Sequence, residues 1–299
     1  MLGRTLLLFT ALTMLLMFFG FVIGLAVGGD PIIFMGFGLV LAAVMNFVSY
    51  EFSDRFVLWS THTKLITEND NPQLYSIVRK VADEAHIPMP RVGIVQSDQP
   101  NAFATGKGPS KAIVVATTGI LRMLTPGELE AVIGHEISHV THRDVLVASI
   151  AATIAGAISY IGQIIMWDSF FGGIGGNRRG NQGNDNAIFL IIAAVLIPVA
   201  ALLVQLGISR SRETSADEAG ARLTGKPQEL INALRKISVQ SRGSQWNRKN
   251  APSPATSTLW IVNPLRASGW TGLFSTHPSL DKRIKAISKV ALEMGIMVN

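Results

Sequence analysis

Cysteine is absent from the 299 residues, and charge is scarce. Without thiols the chain can form neither disulfides nor thiolate metal sites, so any transition-metal site must be built from His, Asp and Glu. Charged residues make up only 15% of the sequence, against about a quarter in soluble globular domains. Together with 48% hydrophobic residues and a mean hydropathy of +0.35, this excludes an ordinary soluble domain and puts the chain in the membrane class. The net charge is +6, but no dense Lys/Arg run occurs, so nucleic acid is not expected as a partner. Basic loops beside membrane helices account for the excess.

What the chain has in quantity is long apolar sequence. A helix needs about 17–25 apolar residues to cross a bilayer's hydrocarbon core. Four segments qualify: 5–27, 31–50, 145–167 and 187–208. The first is too long for a signal-peptide core and leads into no small-x-small cleavage site, so it reads as an uncleaved span. The expected organisation is therefore spans one and two over 5–50, a polar segment 51–144, spans three and four over 145–208, and a polar segment 209–299. The Gly/Asn-rich loop 168–186 between the last two spans reads as a connector. An even number of spans puts both polar segments on one side. Arg4, Arg55, Arg143, Arg210 and Arg212 flank the spans there, so that side is expected to be cytoplasmic.

The polar segments carry the chemistry. Residues 71–86 read as a helix, 91–97 and 111–119 as β-branched strands, and "NAFATGKGPS" as a strand entering a glycine hairpin. "TPGELEAVIGHEISHVTH" then opens a helix, with Thr125 as N-cap, Pro126 at the first position and Glu128 completing a capping box. On that helix His135 and His139 share a face one turn apart and can hold one ion, while Glu136 beside them can take a proton from water. The plain alternative is a pair of solvated or core histidines on a helix. His142 reads as a surface or interfacial histidine, because three ligands along one straight helix cannot close round an ion tetrahedrally.

A third ligand is required, and topology suggests Glu213. His139 lies six residues before span three and Glu213 five residues after span four. Antiparallel spans continued as straight helices would bring both to about 8–9 Å above the hydrocarbon boundary. Asp217, one turn further, can orient a ligand imidazole. The alternative is a solvated acidic helix with Arg210 and Arg212 as partners. An intramembrane site is disfavoured by the polarity of "PGELEAVIGHEISHVTHRD", and a scaffold whose metal only pins helices has no need of Glu136.

The four spans, HEISH before the third, "RETSADEAG" after the fourth, "NAFATG" upstream and "STHPSLDKR" near the end resemble the HtpX-type heat-shock membrane metalloproteases, relatives of the CAAX prenyl proteases, over essentially the whole chain. The resemblance implies a membrane α-helical protein with a cytoplasmic α+β zincin-like metalloprotease domain, a small β-sheet or hairpin lying beside the HExxH helix. It implies a zinc endopeptidase, one ion per chain, in the bacterial inner membrane with its site facing the cytoplasm. Its partners would be the lipid bilayer and damaged or misfolded membrane proteins as substrates. Carried over by position, His135, His139 and Glu213 would be zinc ligands, Glu136 the general base, and Asp217 the aspartate that follows the glutamate ligand. Asn101, Ala102 and Phe103 would border the cleft, where a sheet edge binds extended substrate. His277 would donate to the oxyanion, supported by Arg283; for His277 a structural or capping role stands equally open. The Trp- and Pro-containing segment 242–275 reads as either a flap or a stretch lying against lipid headgroups.

Overall fold

The computed structural model describes residues 2–26, 28–154, 210–243 and 278–298. The expected fourth span, the third span beyond residue 154, the loop 168–186, segment 242–275 from residue 244 and His277 lie outside the described residues. The chain divides into two compact units, Met1–Ser53 with Ile150–Gly207 and Asp54–Ser149 with Ile208–Asn299.

In the first unit α1 (Leu2–Ala26) and α2 (Pro31–Ser60) form a hairpin. α1 after Arg4 and α2 as far as Tyr50 are apolar all round, the pattern of a helix that lies in a core or crosses a membrane. Thr5–Leu25 and Pro31–Ser60 are long and apolar enough to cross a membrane, and Leu6, Met14, Phe18, Ile32, Phe37 and Phe47 lie exposed along them. Gly28 turns the chain with φ +70°, and Asp30 accepts the Ile32 N–H at the start of α2. Small residues bring the two backbones together: a Cβ on Gly20 would lie 2.2 Å from the Phe34 carbonyl oxygen, and one on Gly38 2.3 Å from that of Leu16. The Asn46 amide donates across the hairpin to the Phe9 carbonyl and the Thr13 hydroxyl. As a helix α2 outruns the apolar stretch expected to end at residue 50. Its end belongs to the second unit, where Val57 packs on Phe103, Ile113 and Val115.

The second unit is built on a four-stranded sheet of β1 (Lys64–Ile66), β2 (Arg91–Val95), β3 (Ala102–Gly106) and β4 (Ala112–Thr117), in the order β1-β2-β4-β3. β2 and β4 run parallel and the outer pairs antiparallel. The β-branched run of β4 is buried throughout, as a strand covered on both faces should be. Gly106 (φ +125°) and Gly108 (φ +142°) make the expected turn from β3 to β4 with dihedrals that only glycine adopts readily.

Around the sheet lie α3 (Pro72–Glu84), α4 (Thr118–Met123), α5 (Pro126–Thr141), the apolar helix α6 (Asp144–Ile154), α7 (Arg210–Thr224), α8 (Pro227–Gly243) and α9 (Leu280–Glu293). α5 is the central helix, and its Val132, Ile133 and Ile137 are buried with residues of α3, α8 and α9. Polar pins hold its first half. Glu130 takes Lys80 of α3 and Lys226 ahead of α8, both at 2.9 Å, and Glu128 takes Lys236 of α8 at 2.7 Å.

Candidate active site

The phase of α5 is set at its start. The Thr125 hydroxyl accepts the Glu128 N–H, and the Glu128 carboxylate accepts the Thr125 N–H, closing the expected capping box. The helix ends at His142, whose Nδ1 lies 2.6 Å from the Ser138 carbonyl oxygen. His142 is exposed and stands outside the donor cluster, as expected. Arg143 then adopts φ +55° and separates α5 from α6.

A second helix supplies the missing donor. α7 meets α5 backbone to backbone at two glycines: a Cβ on Gly220 would lie 2.7 Å from the His135 nitrogen, and one on Gly134 3.2 Å from the Gly220 carbonyl oxygen. Two turns back along α7 from this contact, Glu213 reaches both imidazoles. Its Oε2 is 3.7 Å from His135 Nε2 and its Oε1 3.6 Å from His139 Nε2. The rings are nearly perpendicular, with centroids 4.9 Å apart, and one donor atom from each residue falls within 4.8 Å of the others. Four-coordinate zinc with bonds of about 2.0–2.1 Å holds neighbouring donors about 3.3–3.4 Å apart, so the two distances from Glu213 to the imidazoles come within a few tenths of an ångström of what such an ion needs. The donors are also largely buried, as is Glu136. Two carboxylates gathered in one buried place are costly unless a cation shares it.

Both imidazoles are backed through the ring nitrogen that faces away from Glu213. Asp217 Oδ1 lies 2.9 Å from His135 Nδ1, at hydrogen-bonding distance without the alignment of a hydrogen bond. Arg283 of α9 grips Asp217 with Nε and Nη2, each at 2.7 Å, and the pair is fully buried. Burial pushes the Asp217 carboxyl up, but the Arg283 charge and hydrogen bonds outweigh it and hold the carboxyl below its ordinary value. His139 Nδ1 lies 3.5 Å from Asp144 Oδ2, and Asp144 Oδ1 takes Arg212 Nη1 at 3.1 Å. Burial alone would lower the His139 pKa; Asp144, Glu213 and Glu136 reverse this and lift it to about 9. An ion entering the cluster must therefore displace a proton from His139.

Glu136 is positioned from the sheet. Its Oε2 accepts the Ala104 N–H of β3 at 3.0 Å, and burial raises its pKa against the pull of His135 and His139. Asn101 donates its N–H to the Thr117 hydroxyl and accepts the Thr117 N–H on its carbonyl. Antiparallel alternation from that pair turns the main-chain groups of Ala102 and Ala104 to the outer edge of the sheet. The Phe103 side chain packs into the core with Val57, Ile113 and Val115. What this segment presents on the outer edge is main chain, not the Phe103 ring.

Of the residues expected from sequence, His135, His139, Glu213, Glu136, Asp217 and Arg283 come together here, with Asn101, Ala102 and Phe103 on the adjoining strand. Sequence reasoning missed Asp144, Arg212, Ala104 and the glycine contact. Asp144 had a signal, an acidic residue opening a new helix just past the histidine motif; Ala104 had none, because it acts through its main chain.

Two histidines on one helix, a glutamate from a second helix and a buried glutamate beside them define a metallopeptidase of the HExxH class. The sequence matches the model of "Peptidase family M48" over residues 68–291. It is 45% identical to a "Protease HtpX homolog" of Thermococcus sibiricus over 98% of this chain and 97% of that one. It is 46% identical to the homologue of Pyrococcus furiosus over the same shares, and 44% identical to that of Thermodesulfovibrio yellowstonii over 96% and 98%. Among solved structures it is similar to S. mikatae Ste24p, with TM-score 0.48 and 17% identity over 95% of this chain and 64% of that one. The chain belongs to peptidase family M48 and, within it, to the HtpX-type membrane-associated metalloproteases.

Proposed function

We propose that this protein is a zinc-dependent endopeptidase of the inner, cytoplasmic membrane that cuts misfolded or damaged membrane proteins at the cytoplasmic face. One observation carries the reading: His135, His139 and Glu213 converge on a point with Glu136 buried beside it. Two imidazole nitrogens and a carboxylate oxygen, with no thiolate in the chain, suit a catalytic zinc site that keeps a position for water. The cytoplasmic orientation rests on charge: of the 26 basic residues only Arg178 and Arg179 fall in the loop expected on the far side.

Bound there, zinc would supply Lewis-acid polarisation of the scissile carbonyl and a lowered pKa for the attacking water. The chain's own residues do the rest. Glu136 receives the proton of the water and delivers it to the leaving nitrogen, and its raised pKa brings it closer to the range in which a carboxylate works in both directions. The Ala104 N–H holds one carboxylate oxygen and so aims the other. Asp217, gripped by Arg283, steadies His135. The outer edge of β3 receives an extended peptide by strand addition, a mode that selects segments which have lost their fold. His277 is the proposed donor to the developing oxyanion.

The test uses the full chain in detergent with β-casein as an unfolded substrate, and with elemental analysis of the purified protein. Wild type should carry about one zinc per chain, and Glu136→Gln should keep that zinc while cleavage falls by a factor on the order of 10²–10⁴. Cleavage by the variant at the wild-type rate would overturn the assignment.

A further inference from the structure

The turn joining α5 to α6 is strained in a way that serves one residue. Arg143 holds φ +55°, a left-handed conformation that costs a non-glycine residue about 1–3 kcal/mol. The break makes Asp144 the first residue of α6 and leaves its carboxylate 3.5 Å from His139 Nδ1. His139 Nε2 meanwhile points at Glu213 Oε1, 3.6 Å away. One ring nitrogen thus faces a carboxylate while the other is presented to the donor cluster.

The carboxylate is itself held from the opposite helix. Arg212, adjacent to Glu213 on α7, reaches Asp144 Oδ1 at 3.1 Å. The side chains of Arg212 and Asp144 are only 11% and 16% exposed, so solvent screens this pair far less than a surface one. Glu213, His139, Asp144 and Arg212 therefore form a closed ring, completed through the backbone of α7. His139 needs this more than His135 does, because its side chain is 14% exposed against 3% and the close α5–α7 backbone contact falls at His135.

We propose that Asp144 and Arg212 form a clamp that positions His139 and sets its distance from Glu213. The inference rests on reading His135, His139 and Glu213 as a metal centre, and it makes Asp144 and Arg212 positioning residues that act through His139.

The experiment measures cobalt(II) and zinc(II) affinity of the full chain in detergent by competition with a chromophoric chelator, alongside kcat and KM. Asp144→Ala should weaken metal binding about 10–100-fold, the range for losing a partner of a ligand histidine. Arg212→Met should weaken it less, and Asp144→Asn, which keeps an acceptor for the imidazole N–H, should recover most of the affinity. The double variant Asp144→Ala/Arg212→Met should bind within about twofold of Asp144→Ala alone, because a clamp is lost only once. In Asp144→Asn kcat should fall with KM unchanged. Arg122→Ala, which removes the exposed pair with Asp98, should match wild type. Single variants with wild-type affinity, or a double variant whose loss is the product of the single losses, would overturn the clamp. A wild-type chain that takes up neither metal would overturn the metal centre and the clamp with it.

Discussion

Replacing Gly220 with alanine tests how the glutamate is delivered to the histidines. The new Cβ would stand 2.7 Å from the His135 nitrogen, 2.8 Å from its Cα and 2.9 Å from the Gly134 carbonyl carbon. All three are backbone atoms of α5, and no rotamer change removes them. Ordinary carbon contacts lie near 3.5 Å, so α7 must retreat from α5 by about 0.8 Å. Overpacking of this kind costs about 1–3 kcal/mol, and the helix-forming gain of Gly→Ala returns about 1 kcal/mol. Net stability should therefore fall by only about 0–2 kcal/mol. The metal should register the change far more strongly. Glu213 rides on the same helix, and a displacement of about 0.8 Å exceeds the ~0.2 Å tolerance of metal–ligand bonds several-fold. We expect the zinc affinity of Gly220→Ala, measured by chelator competition, to fall at least about tenfold while apo-protein unfolding changes modestly. Gly127→Ala is the control, since its Cβ would meet Glu229 Cγ at an ordinary 3.5 Å and should stabilise α5 by about 0.4–1 kcal/mol. A Gly220→Ala protein with undiminished zinc affinity would show that α7 does not deliver its carboxylate through this contact.

Two further outcomes follow from the buried charges. Arg283→Met leaves the Asp217 carboxylate buried without its partner and should cost about 3–5 kcal/mol in denaturant unfolding, with part recovered in the double variant that adds Asp217→Asn; a loss below about 1 kcal/mol would refute the pair's role. For Glu130, burial pushes the carboxyl up, but Lys226 and Lys80 outweigh it and hold it below its ordinary 4.5 in the folded protein. Its contribution is then present above 4.5 and lost as pH falls through the folded value. Glu130→Gln should thus be less stable than wild type at neutral pH and converge with it on acidification; a stability gap that stays constant into strong acid would contradict the assignment.

The histidine motif was legible because everything that places it is local. Thr125, Pro126 and Glu128 fix where α5 starts, and helical periodicity puts His135 and His139 on one face. Glu213 is reached from sequence only by expecting two antiparallel spans, most of which lie outside the described residues; in the structure it is the packing of α7 on α5 at Gly134 and Gly220 that places its carboxylate by the histidines. β1 and the parallel pairing of β2 with β4 were not read, because Lys64–Ile66 is too short to show a strand pattern and strand order depends on contacts distant in sequence. Asp144 carries a signal in its place at the start of a new helix, but its approach to His139 depends on the φ of +55° at Arg143, a backbone conformation that composition does not announce. Phe103 is expected at the cleft only as part of the sheet-edge segment that the resemblance implies, and its ring packs into the core with Val57, Ile113 and Val115.

Glu213, Asp217 and Arg283 all follow the histidine motif in the chain, and the fit of α7 against Gly134 is what brings the first two to it. A ribosome that has finished HEISH has therefore made two of the three donors. The third follows only once the intervening apolar sequence has been synthesised and α7 has packed on α5. Order of synthesis thus leaves the cluster incomplete until the later helix docks.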